Sequence, residues 1–197
     1  MKLLLHTCCA PCLEYPYQVL INEEIDFTPY FYNPNIQPGW EYQRRKSTLV
    51  KFSEINPCDI IFSDLSQDHE ELNTLSFENM WAAFPKDEKC ANCYRIRLEK
   101  TARFAVEKGY DSFSSTLMGS IYQNHDLICT IGKALEVKYK INFYNHDFRK
   151  GFRSGQKQAF EQGLYRQKYC GCAGSLDESA LKKKILAAIP SEFAQYR

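Results

Sequence analysis

Lys2-Leu3-Leu4-Leu5-His6-Thr7-Cys8-Cys9-Ala10-Pro11-Cys12 is the stretch that decides how this chain is read. Lys2–His6 is short, apolar and without helical periodicity, which predicts a buried strand. The His-Thr-Cys-Cys-Ala-Pro-Cys turn behind it opens a helix over about 12–22. Pro11 suits the first turn of that helix, where a missing N–H costs nothing. Three thiols therefore sit where a strand turns into a helix. There the backbone amides and the helix dipole lower thiol pKa values.

Outward from this unit the pattern repeats. Strands are expected over 27–32, 59–62, 111–115 and 140–144, and helices over 41–55, 93–108 and 122–135. Gly109 stops the helix over 93–108, and 176–189 reads as an amphipathic helix before Pro190. The stretch 66–84 has a weaker pattern, a helix followed by a loop. Alternating strands and helices predict an α/β fold with a mainly parallel sheet flanked by helices. In such sheets functional residues gather at the carboxyl ends of the strands, where the cysteine turn lies. A chain of 197 residues with no linker, repeat or low-complexity segment is expected to form a single domain over 1–197.

Composition narrows the function classes. Hydrophobic content of 44% and charged content of 25% describe an ordinary globule, and no run approaches membrane-spanning length. The apolar start is too short for a signal peptide. A cytoplasmic protein is expected, and in that compartment nine cysteines favour metal binding or redox catalysis over structural disulfides. The net charge of +1 conceals a segregation. Residues 1–93 carry 7 Lys/Arg against 14 Asp/Glu, and residues 94–170 carry 14 against 7. A basic surface of that kind suits phosphate binding, while ordinary variation between helix faces would produce the same count.

Seven of the nine cysteines fall into three groups: Cys8, Cys9 and Cys12; Cys90 and Cys93; Cys170 and Cys172. Cys58 and Cys129 stand alone. Cys90-Ala91-Asn92-Cys93 also begins a helix, so two thiol groups on separate turns can form one four-ligand site, with Cys8 and Cys9 as one pairing. Adjacent cysteines fit a zinc ribbon poorly and an iron–sulfur cluster better, although spacing leaves both open. Cys9-Ala10-Pro11-Cys12 is also a C-x-x-C with proline, which keeps a thioredoxin-like thiol–disulfide oxidoreductase in play. A zinc-binding RNA-binding module is a further alternative. A disulfide between Cys170 and Cys172 would close a small, strained and reducible ring, with Gly171 supplying backbone freedom. A redox pair is the preferred reading there, ahead of metal ligands or two unlinked thiols.

The segment 143–172 is basic and aromatic, and it contains Arg149, Lys150, Phe152, Arg153, Lys157, Phe160 and Arg166. Such residues hold phosphates and stack on unpaired bases, so this segment is expected to contribute to the site. Tyr122-Gln123-Asn124-His125-Asp126 forms a polar cluster at a helix start that could line the same pocket. His6 could orient the cysteine turn. A Gly-rich phosphate loop does not follow the first strand, which argues against an ATP-using tRNA thiolation enzyme.

Taken in order, LLLHTCCAPC, YFYNPNI, CANC followed by YRIRLEKTA, STLMGSIYQNH, DFRKGF and YRQKYCGC resemble the epoxyqueuosine reductase family of the QueH type. The resemblance runs from Leu3 to about Cys172. It implies a Rossmann-like fold related to the adenine-nucleotide α-hydrolase-like proteins, and the two-electron removal of the epoxide oxygen of epoxyqueuosine in tRNA. It further implies a [4Fe–4S] cluster on Cys8, Cys9, Cys90 and Cys93, with an additional iron for which Cys12 is placed. Cys170 and Cys172 would be the redox-active disulfide, and Tyr122, His125 or a thiol the acid. Arg149, Arg153 and Arg166 would hold the anticodon-loop phosphates, and electrons would come from a donor the sequence does not identify. One departure is Ile121, where the family pattern leads to expect a proline in a Ser-Pro-Tyr ending.

Overall fold

Leu3, Leu4 and Leu5 are all sealed from solvent because the first strand, β1 (Lys2–His6), lies in the middle of a sheet covered on both faces. Alternation along the strand sends Leu4 into one core and Leu3 and Leu5 into the other. Each such side chain contributes about 1.5–3 kcal/mol on burial. The structure is a computed structural model that describes residues 1–63, 85 and 88–196.

The further elements are α1 (Ala10–Asn22), β2 (Asp26–Phe31), α2 (Gly39–Ile55), β3 (Ile61–Phe62), α3 (Lys89–Glu107) and β4 (Ser112–Ser115). After them come α4 (His125–Tyr139), β5 (Asn142–Phe143), α5 (Phe152–Glu161), α6 (Ala173–Asp177) and α7 (Lys182–Ala187). The strands form one sheet in the order β3-β2-β1-β4-β5, and every pairing is parallel. This is the Rossmann-like arrangement that the alternating pattern predicts. Helices α1, α2 and α5 feed the core containing Leu3 and Leu5; α3 and α4 feed the one containing Leu4.

The chain runs outward from β1 to β2 and β3, then returns to β4 on the opposite side. Beyond the carboxyl ends of β1 and β4 the connections diverge and leave a crevice, the usual ligand position in open parallel sheets. The cysteine turn lies there. Helix α5 closes the crevice by packing on α1, and Gly151 permits the approach: a Cβ at that position would come within 2.2 Å of the Tyr15 ring.

Several expected boundaries move. Helix α1 begins at Ala10, with Pro11 in its first turn, and the strands expected over 59–62 and 140–144 shrink to two-residue edges. The helix expected over 122–135 starts only at His125, because the Asn124 side chain accepts from Leu127 N at 3.1 Å and caps it. The single tail helix expected over 176–189 is a correction: it is two short helices, α6 and α7. Between them the Ser179 hydroxyl accepts from Leu181 N at 3.1 Å, a local bond that competes with helix continuation. The stretch 66–84 lies outside the described residues. No described helix is long and apolar enough to cross a membrane.

Candidate functional site

His6 closes β1 and ties three strand ends together. It is fully buried, with Nδ1 2.8 Å from Ser115 Oγ and Nε2 3.1 Å from the Tyr32 carbonyl. A carbonyl can only accept, so the proton sits on Nε2. Burial, helped by the nearby Arg97 charge, lowers the His6 pKa to about 4. The ring is thus a neutral strut under the cysteine turn. Beside it, Thr116 Oγ1 accepts from Cys8 N at 3.2 Å and donates to Cys8 Sγ at 3.5 Å.

The turn brings the Cys8, Cys9 and Cys12 sulfurs within 4.8 Å of one another, with Cys8 and Cys9 3.7 Å apart. Hydrogen bonds from Cys12, then Cys9 and Thr116, hold the Cys8 thiol well below the ordinary thiol range. Burial pushes Cys9 up, and the contact with Cys8 pushes Cys12 up. Three sulfurs this close together are a donor set suited to a soft metal or a cluster.

Helix α3 brings the second group. Cys90, Cys93, Tyr94 and Arg97 recur at helical spacing on one face. Cys93 is buried against Cys172, and burial, followed by the nearness of Cys172, pushes the Cys90 thiol up. The third group hangs on a loop held by α2. Arg45 Nη1 donates to the Cys170 carbonyl and Nη2 to the Tyr169 carbonyl, both at 3.0 Å, while Nε pairs with Glu41 Oε1 at 2.7 Å. Gln37 N donates to the Gly171 carbonyl at 2.7 Å. Gly171 has φ +124°, a conformation side chains rarely adopt, and a Cβ there would lie 3.1 Å from Arg45 Nη1. A hydrogen bond from Cys172 lowers the Cys170 pKa and raises that of Cys172.

A cavity of about 540 Å³ opens at the crevice, lined by members of the first and third cysteine groups; Cys90 and Cys93 are not among its lining residues. Cys8, Cys12 and Cys170 line it, with Arg45 and Arg97 in its walls and Tyr122 and Gln123 on the α4 side. Phe152 and Gln156 of α5 and the loop 166–170 complete it. Gln123 Nε2 approaches Cys170 Sγ at 3.8 Å, and Gln167 Nε2 approaches Cys12 Sγ at 3.6 Å. A neighbouring surface depression carries Arg153, Lys157, Phe160 and Arg166 and shares Phe152, Gln156 and Arg166 with the cavity.

The cysteine expectations gather at one place; the others divide. Tyr122 stands at the rim, 79% exposed, with its ring edge-on to Phe152. His125 does not line the cavity. It faces Cys129, with Nδ1 3.6 Å from that sulfur, and Asp147, with Nε2 3.7 Å from Oδ1. Arg149 is engaged by the Asp147 carboxylate at 2.6–3.1 Å. Arg153 and Arg166 lie at the mouth. Sequence reasoning missed Arg45 and Arg97. Their signals were Glu41 four residues before Arg45, and Arg97 one helical turn beyond Cys93.

The family model described as epoxyqueuosine reductase QueH matches residues 3–178. The chain belongs to this family. Among curated relatives named epoxyqueuosine reductase QueH, the one from Thermotoga maritima is 37% identical over 185 residues, covering 89% of this chain and 90% of the relative. That from Dehalococcoides mccartyi is 35% identical, covering 88% and 92%, and that from Acinetobacter baylyi is 34% identical, covering 90% and 82%. In this QueH-family chain the departure at Ile121 is confined to one turn. Thr116–Gly119 forms a 3-10 turn, Ser120 N donates to the Leu117 carbonyl at 3.1 Å, and Ile121 is half-exposed behind it.

Proposed function

We propose that this chain reduces epoxyqueuosine in tRNA to queuosine. The observation that carries this reading is that Cys8, Cys12 and Cys170 line one cavity with a basic, aromatic depression beside it, while Cys93 packs on Cys172 behind it. A thioredoxin-like exchange enzyme needs only one of those groups. The cavity volume is in the range that accepts a nucleoside-sized ligand.

Cys8, Cys9, Cys90 and Cys93 would hold a [4Fe–4S] cluster, with Cys12 available to an additional iron; such a group supplies electrons one at a time. The sulfur-only donor set and the depressed Cys8 thiol fit it. The remaining chemistry belongs to this chain's own residues. Oxidising the Cys170 and Cys172 thiols to a disulfide releases two electrons and two protons. Converting an epoxide to an alkene consumes two electrons and two protons and releases water, so one dithiol balances one substrate. A separate electron donor then restores the dithiol. Cys170 Sγ, which lines the cavity, and Tyr122 Oη, at its rim, are the positions from which a proton reaches the departing oxygen. The placement of His125 against Cys129 and Asp147 gives it no part in this scheme.

RNA enters along α5. Arg153, Lys157 and Arg166 offer charge to phosphates, and Phe160, 66% exposed beneath the Arg166 guanidinium, offers a face to an unpaired base. Arg149, spent on Asp147, contributes less. The reading is tested by incubating anaerobically prepared protein and a chemical reductant with tRNA containing epoxyqueuosine. Nucleoside mass spectrometry should show loss of one oxygen atom. Iron and sulfide should both be present; zinc without sulfide, or unconverted substrate, contradicts the proposal.

A further inference from the structure

Arg97 is a buried cation whose bonding is incomplete. Only 2% of it is exposed, and Nε donates to the Cys93 carbonyl at 3.0 Å. Its Nη2 is buried and has no hydrogen-bond partner among the described residues. No carboxylate pairs with it in any described salt bridge; its nearest ionisable neighbours are the thiols of Cys93, Cys170 and Cys8. It lines the cavity, as Cys8 and Cys170 do. An unmade bond on a buried donor costs stability, and more when the group is charged. The fold keeps Arg97 here although an apolar side chain would avoid that cost, which points to a ligand that completes the bond.

Ligand chemistry follows from the surroundings. A guanidinium only donates, so the missing partner is an acceptor, and a fully buried positive charge favours one that becomes negative. On the reductase reading, on which this inference rests, the substrate brings one such atom to the thiol-lined end of the cavity. The epoxide oxygen gains negative charge when its first C–O bond breaks and before a proton arrives. We propose that Arg97 is a catalytic residue whose guanidinium donates to the epoxide oxygen and stabilises that charge. Arg97 gives up no proton; the two protons and two electrons come from the reducing groups, and the oxygen leaves as water. The product alkene has no atom to accept this bond. Arg97 therefore also distinguishes substrate from product, because a site built around a buried donor rejects the analogue lacking its acceptor.

The test uses anaerobically reconstituted wild-type, R97Q and R97K proteins. Iron and sulfide content, steady-state kinetics on epoxyqueuosine tRNA, and affinities for epoxyqueuosine tRNA and queuosine tRNA are measured for each. R97Q should lower kcat by about 100-fold or more, the usual effect of losing one oxyanion donor. Its KM should stay within about threefold, since phosphate contacts lie elsewhere. Cluster content should be unchanged, and any preference of the wild type for the oxygen-bearing tRNA should disappear. R97K, which keeps a cation and a donor, should fall between and supplies the answer if R97Q is unstable. A kcat near wild type, a loss that tracks missing iron and sulfide, or an undiminished substrate preference in the variants overturns the assignment. Wild-type protein that leaves epoxyqueuosine unchanged overturns the reductase reading itself; active wild type with unimpaired R97Q overturns Arg97 alone.

Discussion

Two arginines stand on opposite walls of the cavity, both only 2% exposed, and their bonding differs completely. On the α2 wall, every nitrogen of Arg45 has a partner: Glu41 takes Nε, and the Cys170 and Tyr169 carbonyls take the two terminal nitrogens. On the α3 wall, Arg97 makes one backbone bond and leaves Nη2 open. The first is a clamp that holds the Cys170-Gly171-Cys172 loop in place. The second is left for something that enters the cavity. Burial alone does not reveal a functional arginine; the distinction lies in what its donors have already found.

The strongest way to break this picture is through the loop that the clamp holds. C170S/C172S should abolish multiple turnover while leaving iron and sulfide content intact. Sustained turnover by that variant would remove the dithiol from the mechanism. The clamp comes next. R45M leaves Glu41 buried with only the Tyr165 hydroxyl, at 2.9 Å, as a partner. Breaking a buried pair typically costs about 3–5 kcal/mol, so R45M should show a large fall in denaturation midpoint. E41Q/R45M should regain much of it. By contrast, the Arg97 variants lose no carboxylate partner and should show their largest effect in kcat. A reversal of that pattern would erase the distinction between the two walls.

A smaller effect is expected at the mouth. Replacing Arg153, Lys157 and Arg166 together by Gln should raise KM for tRNA and reduce the magnitude of the salt slope by about 2–3. kcat should change little. The smallest effect concerns acidity within the loop. The hydrogen bond from Cys172 lowers the Cys170 pKa, so alkylation of reduced Cys170 should be half-maximal below the pH of an ordinary thiol. C172A removes that donor and should move the midpoint upward; an unchanged midpoint would remove Cys172 as the cause.

Much of the fold was legible because β1 is central. An uninterrupted Leu3–Leu5 run followed by a thiol turn reads as a buried strand end, and the alternation after it specifies a parallel sheet. The tail was not legible: Leu176 and Ile185 are buried at helical spacing, yet Ser179 takes the Leu181 amide and ends the turn. At the site, the cysteines were legible by type and grouping because sulfur chemistry needs several thiols at one point. Their buried arginine neighbours were not. Arg45 reaches a carbonyl 125 residues away, and nothing local marks that contact. Tyr122 and His125 illustrate the same limit. They are three residues apart, but the Asn124 cap separates them, leaving Tyr122 at the rim and His125 against Cys129.

The proposed mechanism requires the three thiol groups to act as one reducing site. A single-turnover experiment tests it most directly. Protein prepared anaerobically, fully reduced and freed of excess reductant, is mixed with excess epoxyqueuosine tRNA; queuosine formed and Cys170–Cys172 disulfide formed are counted by mass spectrometry. The account predicts queuosine and disulfide in equal amounts, with neither from C170S/C172S. Queuosine formed while Cys170 and Cys172 remain thiols would contradict it.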